Sequence, residues 1–420
     1  MLIYNQGIEH IFFDLDHISR DYFQKSDYFV PFNNYLQHTQ FYALYSQEEI
    51  WDIFTDGLNG EFLSYIQPIK YRFPKSIFSV IKELEVNALQ SLLVTGNLDN
   101  IYSAHTFHLN SMYFRNKDVR AERTKLPDCV VDSVSDLEGY LNGRSDGYLN
   151  ENKACDSEIN SGKIYLENLY HPLDNGISSK LYTAGRYFTS ADPRSYLHPL
   201  TGKILNFKEG DKVNIGKNLA GIVKINLDYI SKKAGRINFI TSVPAKPGKT
   251  DRIKLILEND EVANYASEID CDILSVLRDY KPQKEAKGWD KRAENVNGVF
   301  STNKKVSGHV VLVDDIITSG STAMECVKML LKAGAEKVSI LALAAMQTKI
   351  NTRSKLLIPC QCCDGLYKLR FNGNDARPFW GCSNFSSSNC RSSLEFYEGC
   401  NNLTMEEETP IFEREDVDLF

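Results

Sequence analysis

Two adjacent carboxylates followed by a hydroxyl-rich turn are the residues of this sequence best suited to chemistry. Asp314 and Asp315 come directly after an apolar run at 310–313, and a Thr-Ser-Gly-Ser-Thr turn follows at 318–322. The apolar run predicts a buried parallel strand, and ligands bind at the carboxyl ends of such strands in open α/β sheets. An amphipathic helix is predicted from about 323 to 333, so the turn would offer backbone N–H groups and hydroxyls at a helix N-terminus, where phosphate binds. The two carboxylates suit the vicinal hydroxyls of a ribose.

The stretch 310–322 resembles the phosphoribosyl pyrophosphate (PRPP) motif of type I phosphoribosyltransferases. The resemblance implies that Asp314 and Asp315 hold the ribose hydroxyls. It also implies that the 5′-phosphate is held by Thr318, Ser319, Gly320, Ser321 and Thr322. Catalysis would then rest on positioning and on electrostatic stabilisation of an oxocarbenium-like ribose, with Mg²⁺ bound mainly to PRPP oxygens and water. The alternative interpretation is a structural strand–turn–helix in which the acidic pair arises by chance.

Segments upstream of this motif resemble the ComF-like branch of the same enzymes. The signature of that branch is matched in order by Leu277-Arg278, Pro282-Gln283 and the segment 291–300. A predicted strand at 239–244 runs into 245–249 at the position of the family's pyrophosphate loop. This implies that Lys246, Lys249 and Arg252 contact the diphosphate, although each alone is typical of a protein surface. The resemblance covers about 200–348.

Two features depart from the ComF-like pattern. The sequence shows no N-terminal zinc module, and the chain after Ala345, where the acceptor base would be recognised, leads almost directly into a cysteine-rich segment. No base-reading aromatic residue is evident there. The sequence therefore predicts a site for PRPP or a nucleotide without naming an acceptor.

Three predicted strands in the first 145 residues each end in residues that could handle a phosphate group. These residues are Asp14 and Asp16 after the first strand, Thr95 after the second, and Asp132 and Asp136 after the third, with Lys117 and Lys125 preceding the third. In this order they resemble the motifs of haloacid dehalogenase (HAD) phosphatases. The alternative is that each Asp is an ordinary turn or cap residue at a strand end.

The resemblance to HAD enzymes implies a role for each residue. Asp14 would attack phosphorus and Asp16 would act as general acid/base. Thr95 and Lys125, or Lys117, would hold the phosphoryl oxygens. The two N-terminal acids, with Asp132 and Asp136, would bind Mg²⁺. The long aromatic-rich segment 20–90 would form either a cap that selects substrate or extra core helices.

Six of the ten cysteines lie between positions 360 and 400, in a pattern suited to metal binding. They are Cys360, Cys362, Cys363, Cys382, Cys390 and Cys400. Two Cys pairs on two turns suit tetrahedral Zn²⁺ with four thiolates, in a reducing compartment rather than in a disulfide framework. Cys362 could replace Cys360 or Cys363, but it breaks the two-residue spacing, and Cys400 is a spare.

The segment around 379–390 resembles the zinc ribbon at the C-terminus of type I DNA topoisomerases. The resemblance implies a structural zinc bound by Cys360, Cys363, Cys382 and Cys390, and contact with single-stranded nucleic acid. Basic and aromatic residues that suit such contact are Lys368, Arg370, Arg377 and Arg391, interleaved with Tyr367, Phe371, Phe379, Trp380 and Phe385. The alternative is that these aromatic residues form the small core of the ribbon.

The elements that must position these residues predict an α/β protein with two parallel-sheet domains. We predict a HAD-like domain at 1–145, a linker with loops at 146–199, a phosphoribosyltransferase domain at 200–350, a zinc ribbon at 356–402 and an acidic tail at 403–420. Apolar residues at 42% and charged residues at 25% exclude collagen-like, coiled-coil and disordered chains. No run of 18 apolar residues and no signal-peptide pattern is present, so we expect a cytoplasmic protein without membrane contact.

The net charge of −7 argues against a protein that coats nucleic acid over its whole surface. Three interpretations of function remain. The first is an enzyme that processes nucleotides with a phosphoribosyltransferase-like site and a fused Mg²⁺-dependent phosphohydrolase. The second is a nucleic-acid-binding accessory protein of DNA uptake, and the third is a retron-like antiphage defence effector. In both of these the PRPP site would be a sensor or a relic, and the partners would be nucleic acid, a defence complex or further copies of the chain.

Overall fold

The computed structural model describes residues 7–18, 38–56, 63–71, 77–115, 122–132, 136, 147–155, 162–171, 176–209, 213–263, 265–280, 289–352 and 354–407. The α/β class predicted from the sequence is confirmed, because strands and helices alternate along most of these ranges. Pro282, Gln283, Lys117 and the tail beyond position 407 lie outside the described residues.

The first sheet is parallel throughout and has six strands. They are β1 (His10–Asp14), β2 (Gln40–Tyr45), β3 (Ile66–Lys70), β4 (Ser91–Thr95), β5 (Asn110–Phe114) and β6 (Cys129–Val131). Their order across the sheet is β3-β2-β1-β4-β5-β6. The associated helices are α1 (Glu48–Asp56), α2 (Ile77–Glu83) and α3 (Leu98–Thr106), with a 3₁₀ turn at Ala88–Gln90.

Both faces of the first sheet are buried. Ile11 and Phe13 of β1 belong to one apolar cluster, whereas Phe12 belongs to the cluster on the opposite face. This division follows from the two-residue period of a strand, which sends successive side chains to opposite faces. Near-continuous apolar runs are therefore needed in these strands, and they are what made β1 and β4 recognisable in the sequence.

The second sheet has seven strands and is mainly parallel. They are β7 (Tyr165–Tyr170), β8 (Ser178–Thr183), β9 (Arg186–Tyr187), β10 (Phe239–Ser242), β11 (Glu268–Ile269), β14 (His309–Ile317) and β15 (Lys337–Met346). The order is β11-β10-β14-β15-β8-β7, with β9 also paired to β15. The β7–β8 pair is antiparallel, which differs from the predicted all-parallel sheet. A separate antiparallel pair consists of β12 (Leu274–Val276) and β13 (Phe300–Thr302).

The helices around the second sheet include one long element. They are α4 (Leu149–Cys155), α5 (Pro199–Glu209), α6 (Val213–Ala234), α7 (Arg252–Leu257), α8 (Asp260–Ala263), α9 (Trp289–Val296) and α10 (Ser321–Lys332), with a 3₁₀ turn at Pro193–Tyr196. Even α6, with 22 residues, is too polar for a bilayer, and no helix in the described ranges meets the length and apolarity of a membrane span.

Residues 146–199, predicted as linker and loops, instead supply a helix and three strands of the second sheet. The reason for the difference is visible in β7, whose polar residues Glu167 and Asn168 make it look like a loop in the sequence. This strand lies at the edge of the sheet, where one face is exposed and polar side chains are tolerated. The structural unit that contains Asp314 therefore begins well before residue 200.

The C-terminal segment forms a small antiparallel sheet of β17 (Tyr367–Phe371), β18 (Pro378–Cys382) and β19 (Ser393–Glu395). Two short helices follow its strands, α11 (Phe385–Ser388) and α12 (Phe396–Cys400). A second pair, β16 (Ser354–Leu357) with β20 (Thr404–Glu407), extends into the predicted acidic tail. Trp380 and Tyr367 share one apolar cluster with Phe188 and Leu197, so this segment packs on the body of the protein.

A buried ionic cluster joins the two large sheets. Arg186 of β9 has no exposed surface and donates to both oxygens of Glu151 at 2.8 and 2.9 Å. It also donates to Asp128, just before β6 of the first sheet, at 2.6 Å. Asp128 in turn lies 3.3 Å from Nε2 of His105 in α3. The guanidinium of Arg186 in β9 thus links the second sheet to Glu151 of α4 and to Asp128, which directly precedes β6 of the first sheet.

Candidate functional site

The carboxylate pair, Asp314 and Asp315, lies near the C-terminal end of β14, in the middle of the second sheet. β14 is flanked by β10 and β15, both parallel to it. A cleft of 530 Å³ opens at this edge and includes both carboxylates and residues of the turn at 318–322, hereafter the phosphate loop. Four basic residues line the same cleft: Lys208, Lys246, Lys249 and Arg252. The structure therefore brings both carboxylates, the predicted basic residues and Thr318, Gly320 and Thr322 to one cleft. Ser319 and Ser321 are buried and are not among the residues that line it.

The two carboxylates differ in their surroundings. The Lys208 ammonium lies 2.5 Å from Oδ2 of Asp315. Burial, and next the charge of Asp315, raise the pKa of Asp314 to about 8. At neutral pH Asp314 therefore holds a proton, as expected for a buried carboxyl group beside a second acidic side chain. A ligand that requires both carboxylates ionised has to displace this proton.

The phosphate loop is shaped by Gly320. Its φ of +83° is in the left-handed region, and a Cβ there would lie 2.9 Å from a methyl carbon of Leu169. Glycine is therefore required both for conformation and for space. The loop leads into α10, a helix of 12 residues. Its N-cap residue is Gly320, so no N-cap side chain bonds the first N–H groups of the helix. The hydroxyls of Ser319, before Gly320, and Ser321, the first residue of that helix, are 3.0 Å apart.

The predicted diphosphate ligands are held by the protein itself. Lys246 donates to the carbonyl of Tyr280 at 2.8 Å, and its ammonium lies 4.2 Å from the centre of the Tyr280 ring. Arg252, at the start of α7, donates to the carbonyl of Lys208. These contacts hold both cations at the cleft that Asp315 also lines.

Two cleft residues escaped sequence reasoning, Lys208 and Tyr187. Lys208 is at the end of α5, more than 100 positions before Asp315, and its surroundings in the sequence are those of any helical lysine. Tyr187 lies in β9 beside Met346 of β15, and both residues line the cleft. An aromatic ring is thus present near the end of β15, although the sequence following Ala345 has none. No local pattern could have marked either residue, because both reach the cleft through pairing of distant segments.

A second group of candidate residues surrounds Asp14 at the C-terminal edge of the first sheet. Asp14 is fully buried at the end of β1, and Thr95 at the end of the adjacent β4 donates to its Oδ2 at 2.5 Å. Asn100, in the first turns of α3, donates to the same oxygen at 2.8 Å. Nδ1 of His17 lies 2.9 Å from Oδ2 of Asp14, and this hydrogen bond raises the pKa of His17. Asp14 is therefore held by three neighbours, two of which, Asn100 and His17, were not predicted.

Asp16 is hydrogen-bonded by residues that follow β2 and β3, the strands on the other side of β1 from β4. The backbone N–H of Ser46, just after β2, donates to its Oδ1 at 3.0 Å. Tyr71, just after β3, donates to its Oδ2. Burial, together with this hydrogen bond, raises the pKa of Tyr71 well above its usual range. The Asp-x-Asp pair predicted from the sequence is thus fixed by residues from the neighbouring strands.

Three further residues predicted for this site do not join it. Asp132 follows β6, and two strands, β4 and β5, separate β6 from β1, which corresponds to about 14 Å at three strand spacings. Asp132 instead lies 3.1 Å from Arg115, and Asp136 accepts from the Asp132 backbone. Lys125 donates to Asp99 at 3.0 Å rather than to Asp14. The position of β6 in the sheet separates its acids from Asp14.

The predicted cysteine cluster forms a compact metal-binding arrangement. The sulfurs of Cys360, Cys363, Cys382 and Cys390 all lie within 4.8 Å of one another. The Cys363–Cys382 and Cys360–Cys390 pairs are 3.5 and 3.9 Å apart. Tetrahedral ligands at the usual Zn–S length would be about 3.8 Å apart. Four thiolates at this spacing could hold a metal ion, and Cys362 and Cys400 stand outside the set.

Backbone N–H groups point at the cysteine sulfurs. The N–H of Gly365 lies 3.4 Å from the Cys363 sulfur, and that of Asn384 lies 3.3 Å from the Cys382 sulfur. Such donors stabilise negative charge on thiolates. The two turns carrying the Cys pairs are therefore preorganised for a cation at their centre.

The aromatic residues of this segment divide into two groups. Tyr367 and Trp380 are fully buried, and the Trp380 indole N–H donates to the carbonyl of Phe396 at 2.8 Å. Phe385, by contrast, is 52% exposed. The two largest rings therefore serve the core of the ribbon, which was the alternative to stacking on bases.

Neither the protein-family models nor the curated protein sequences match this chain.

Proposed function

We propose that the chain is a phosphoribosyltransferase-like enzyme whose cleft binds PRPP or a related nucleotide. One observation carries the proposal: the carboxylate pair and residues of the phosphate loop line a single cleft together with four basic side chains. The pair would accept hydrogen bonds from the ribose hydroxyls, the loop would bind the 5′-phosphate, and Lys246, Lys249 and Arg252 would attract the diphosphate. A site of 530 Å³ is of the size that encloses a small ligand.

The chemistry proposed for the cleft is displacement at the anomeric carbon of the ribose. The bond to the diphosphate breaks as an acceptor forms its bond to the same carbon, and the diphosphate leaves with its electron pair. Mg²⁺ would arrive on the diphosphate oxygens, so the protein need not supply its ligands. The protein's share is electrostatic: Asp314 and Asp315 lie beside the developing positive charge of the ribose, and the basic residues lie beside the leaving group.

Lys208 gives this cleft a particular property. Its ion pair with Asp315 occupies one of the two carboxylates that the ribose would use. Ligand binding would exchange this ion pair for hydrogen bonds from hydroxyls and turn the Lys208 ammonium toward the phosphates. A cation that pairs with Asp315 without ligand and with the phosphates when ligand binds is consistent with binding of a polyanion.

Calorimetric titration of the protein with PRPP and Mg²⁺ tests the proposal. Saturable binding is expected, and the Asp314→Asn/Asp315→Asn variant is expected to weaken it at least 100-fold, because amides replace the carboxylates that accept the ribose hydroxyls. A matched control is Asp270→Asn/Asp272→Asn, which changes two acids that follow β11 and do not line the cleft. Equal affinity in the Asp314/Asp315 variant and in the control would contradict the proposal.

The same titration has a pH signature. Since the pKa of Asp314 is about 8 in the free protein, ionisation on binding implies that affinity for ribose 5-phosphate rises about tenfold from pH 7 to pH 9. The phosphate monoester, with a second pKa of about 6, is already ionised throughout this range. A flat profile would show that Asp314 does not ionise when the ligand binds.

We also propose a Mg²⁺-dependent phosphohydrolase activity at the Asp14 edge of the first sheet. The supporting observation is that Asp14 is buried and Asp16 is hydrogen-bonded at the same edge of the sheet, with Thr95 at the end of the adjacent strand. Asp14 would be the nucleophile and Asp16 the general acid/base. Both carboxylates could also hold Mg²⁺, whereas Asp132 and Asp136 are too distant to take part. The remaining phosphate ligand would be Thr95, with Asn100 in place of the predicted lysine.

Hydrolysis of p-nitrophenyl phosphate measures this second activity. Asp14→Asn is expected to lower the rate at least 1000-fold, because a carboxamide cannot form the acyl phosphate. Asp52→Asn, which changes an exposed acid of α1 that makes no hydrogen bond to Asp14 or Asp16, is the matched control. Mg²⁺-dependent hydrolysis that persists in Asp14→Asn would contradict the assignment of Asp14 as the nucleophile.

For the four-cysteine cluster we propose structural zinc, since four thiolates leave no open position for catalysis. Contact of the ribbon with single-stranded nucleic acid stays a prediction, with Phe385 and the exposed Lys368 and Arg370 as its candidate residues. Roles in DNA uptake or phage defence, and a cytoplasmic location, also stay predictions.

A further inference from the structure

A buried cation, Arg123, contacts the phosphate loop from the part of the chain that contains the first sheet. An Nη2 group of Arg123 donates to the carbonyl of Thr318 at 2.9 Å and to that of Ser319 at 3.4 Å. Arg123 precedes the loop by 195 residues and lies between β5 and β6. Only 4% of its surface is exposed. The contact is on the backbone of the loop, so it does not depend on the loop's side chains.

Arg123 is held firmly in this position. Its Nη1 group donates to Glu167 of β7 at 2.7 Å. Its own carbonyl accepts from the Gln347 amide at 3.0 Å, and the carbonyl of the next residue accepts from the Thr348 backbone at 2.7 Å. The planar guanidinium, unlike an ammonium, can bond Glu167 and the loop carbonyls at once through fixed, diverging N–H groups. A rigid donor thus faces the back of the loop.

Peptide geometry gives this contact a consequence on the other side of the loop. In a trans peptide the carbonyl and the following N–H point in opposite directions. When Arg123 fixes the carbonyls of Thr318 and Ser319, the N–H groups of Ser319 and Gly320 are directed away from Arg123. Those are N–H groups of the segment proposed to bind the 5′-phosphate, and a cation behind the carbonyls also strengthens them as donors.

We infer that Arg123 is a positioning residue for the phosphate loop, aligning its N–H groups for the 5′-phosphate of the ligand. The inference rests on the proposed function of the cleft. It makes the segment between β5 and β6 a part of the phosphoribosyl site, although Arg123 itself does not touch the ligand. Two residues further on, Lys125 donates to Asp99 beside Asn100, so the same segment also contacts the Asp14 edge.

The variant Arg123→Lys tests this inference in the full-length chain. It keeps a positive charge near Glu167 but cannot bond Glu167 and both carbonyls together. The dissociation constants of PRPP with Mg²⁺ and of ribose 5-phosphate are expected to rise by the same factor, at least tenfold. In ³¹P NMR spectra of bound PRPP, the 5′-phosphate resonance should shift while the diphosphate resonances stay in place. A loss of folding would move all three resonances together.

The matched control is Thr352→Val, which removes a contact with His108 between the same two parts of the chain, away from the loop. Hydrogen exchange of the backbone at 318–322, measured without ligand, is expected to accelerate at least tenfold in Arg123→Lys and to stay unchanged in Thr352→Val. Unchanged exchange and affinity in Arg123→Lys, or equal effects in the control, would overturn the inference. A wild-type protein that binds no PRPP would instead contradict the proposed function, and the exchange rates would still decide the role of Arg123.

Discussion

Arg186→Met is expected to lower the free energy of unfolding by about 3–5 kcal/mol, because it leaves two buried carboxylates without their cation. Arg186 is completely buried, and its side chain makes three hydrogen bonds to Glu151 and Asp128. Methionine fills a similar volume, so the loss comes from charge rather than from a cavity. The effect should be large because the two carboxylates belong to different parts of the chain, and both face the same guanidinium.

The pH dependence of the variant identifies the cause. Burial alone would raise the pKa values of Asp128 and Glu151, but the charge and hydrogen bonds of Arg186, together with those of His105 and His198 respectively, outweigh it and lower both. In the wild-type protein, stability from these groups is therefore present above their unfolded pKa values near 4 and changes little between pH 8 and pH 5. In Arg186→Met the burial effect remains, so both pKa values rise above their unfolded values and the variant regains stability as the pH falls. A pH-independent deficit would contradict this explanation.

Urea unfolding of Arg377→Met provides the matched control. Arg377 forms an exposed ion pair with Asp375 at 2.7 Å, and such pairs contribute about 0–1 kcal/mol. Combining Arg186→Met with Asp128→Asn and Glu151→Gln removes the uncompensated charges and is expected to recover part of the loss. If Arg186→Met were no more destabilising than Arg377→Met, the cluster would not be what joins the two sheets.

Residues whose position at a strand end was predicted share a local signal in the sequence. Asp14, Thr95 and Asp314 each follow a run of apolar residues, and the strand-end position is enough to place them at the carboxyl edge of a parallel sheet. The Cys360–Cys363 spacing is equally local. In all these cases one short segment contains both the element and the functional residue, so the sequence pattern and the geometry coincide.

Residues that were missed reach their sites through long-range packing. Lys208, Tyr187 and Arg123 reach the second-sheet cleft or its phosphate loop from a helix end, a two-residue strand and a connecting segment. Their neighbours in sequence are unremarkable. A hydrophobic period predicts that a strand exists, but it does not predict which strands will lie beside it. Asp132 illustrates the same limit: its strand was predicted from the sequence, but the position of that strand in the sheet was not.

The ribbon aromatics show where composition misleads. Tyr367 and Trp380 looked suitable for stacking on bases, yet a three-stranded sheet of this size has few other residues with which to fill a core. The Tyr196 ring of the body lies 5.6 Å from the Trp380 ring, which extends this core into the second-sheet unit. Burial of these rings ties the fold of the ribbon to the rest of the chain.

Cys363→Ser is expected to abolish zinc binding and to unfold the ribbon. A structural zinc contributes about 10–16 kcal/mol of apparent binding free energy to the folding of such small units. With one thiolate lost, the remaining sulfurs cannot complete a tetrahedral site. Zinc content by elemental analysis should fall from one ion per chain to none, and tryptophan emission should shift to longer wavelength as Trp380 becomes exposed.

Cys362→Ser is the decisive control, because Cys362 is adjacent in sequence but exposed and outside the cluster. It should retain one zinc per chain and the wild-type emission spectrum. The pair of variants separates ligand geometry from general sensitivity of the turn, since each removes one sulfur from the same four residues. Retention of zinc in Cys363→Ser, or its loss in Cys362→Ser, would mean that the metal is held by a different set of sulfurs.

Because Phe188 and Leu197 of the body pack in the same apolar cluster as Trp380, loss of zinc should also expose part of the second-sheet unit and lower its resistance to proteolysis.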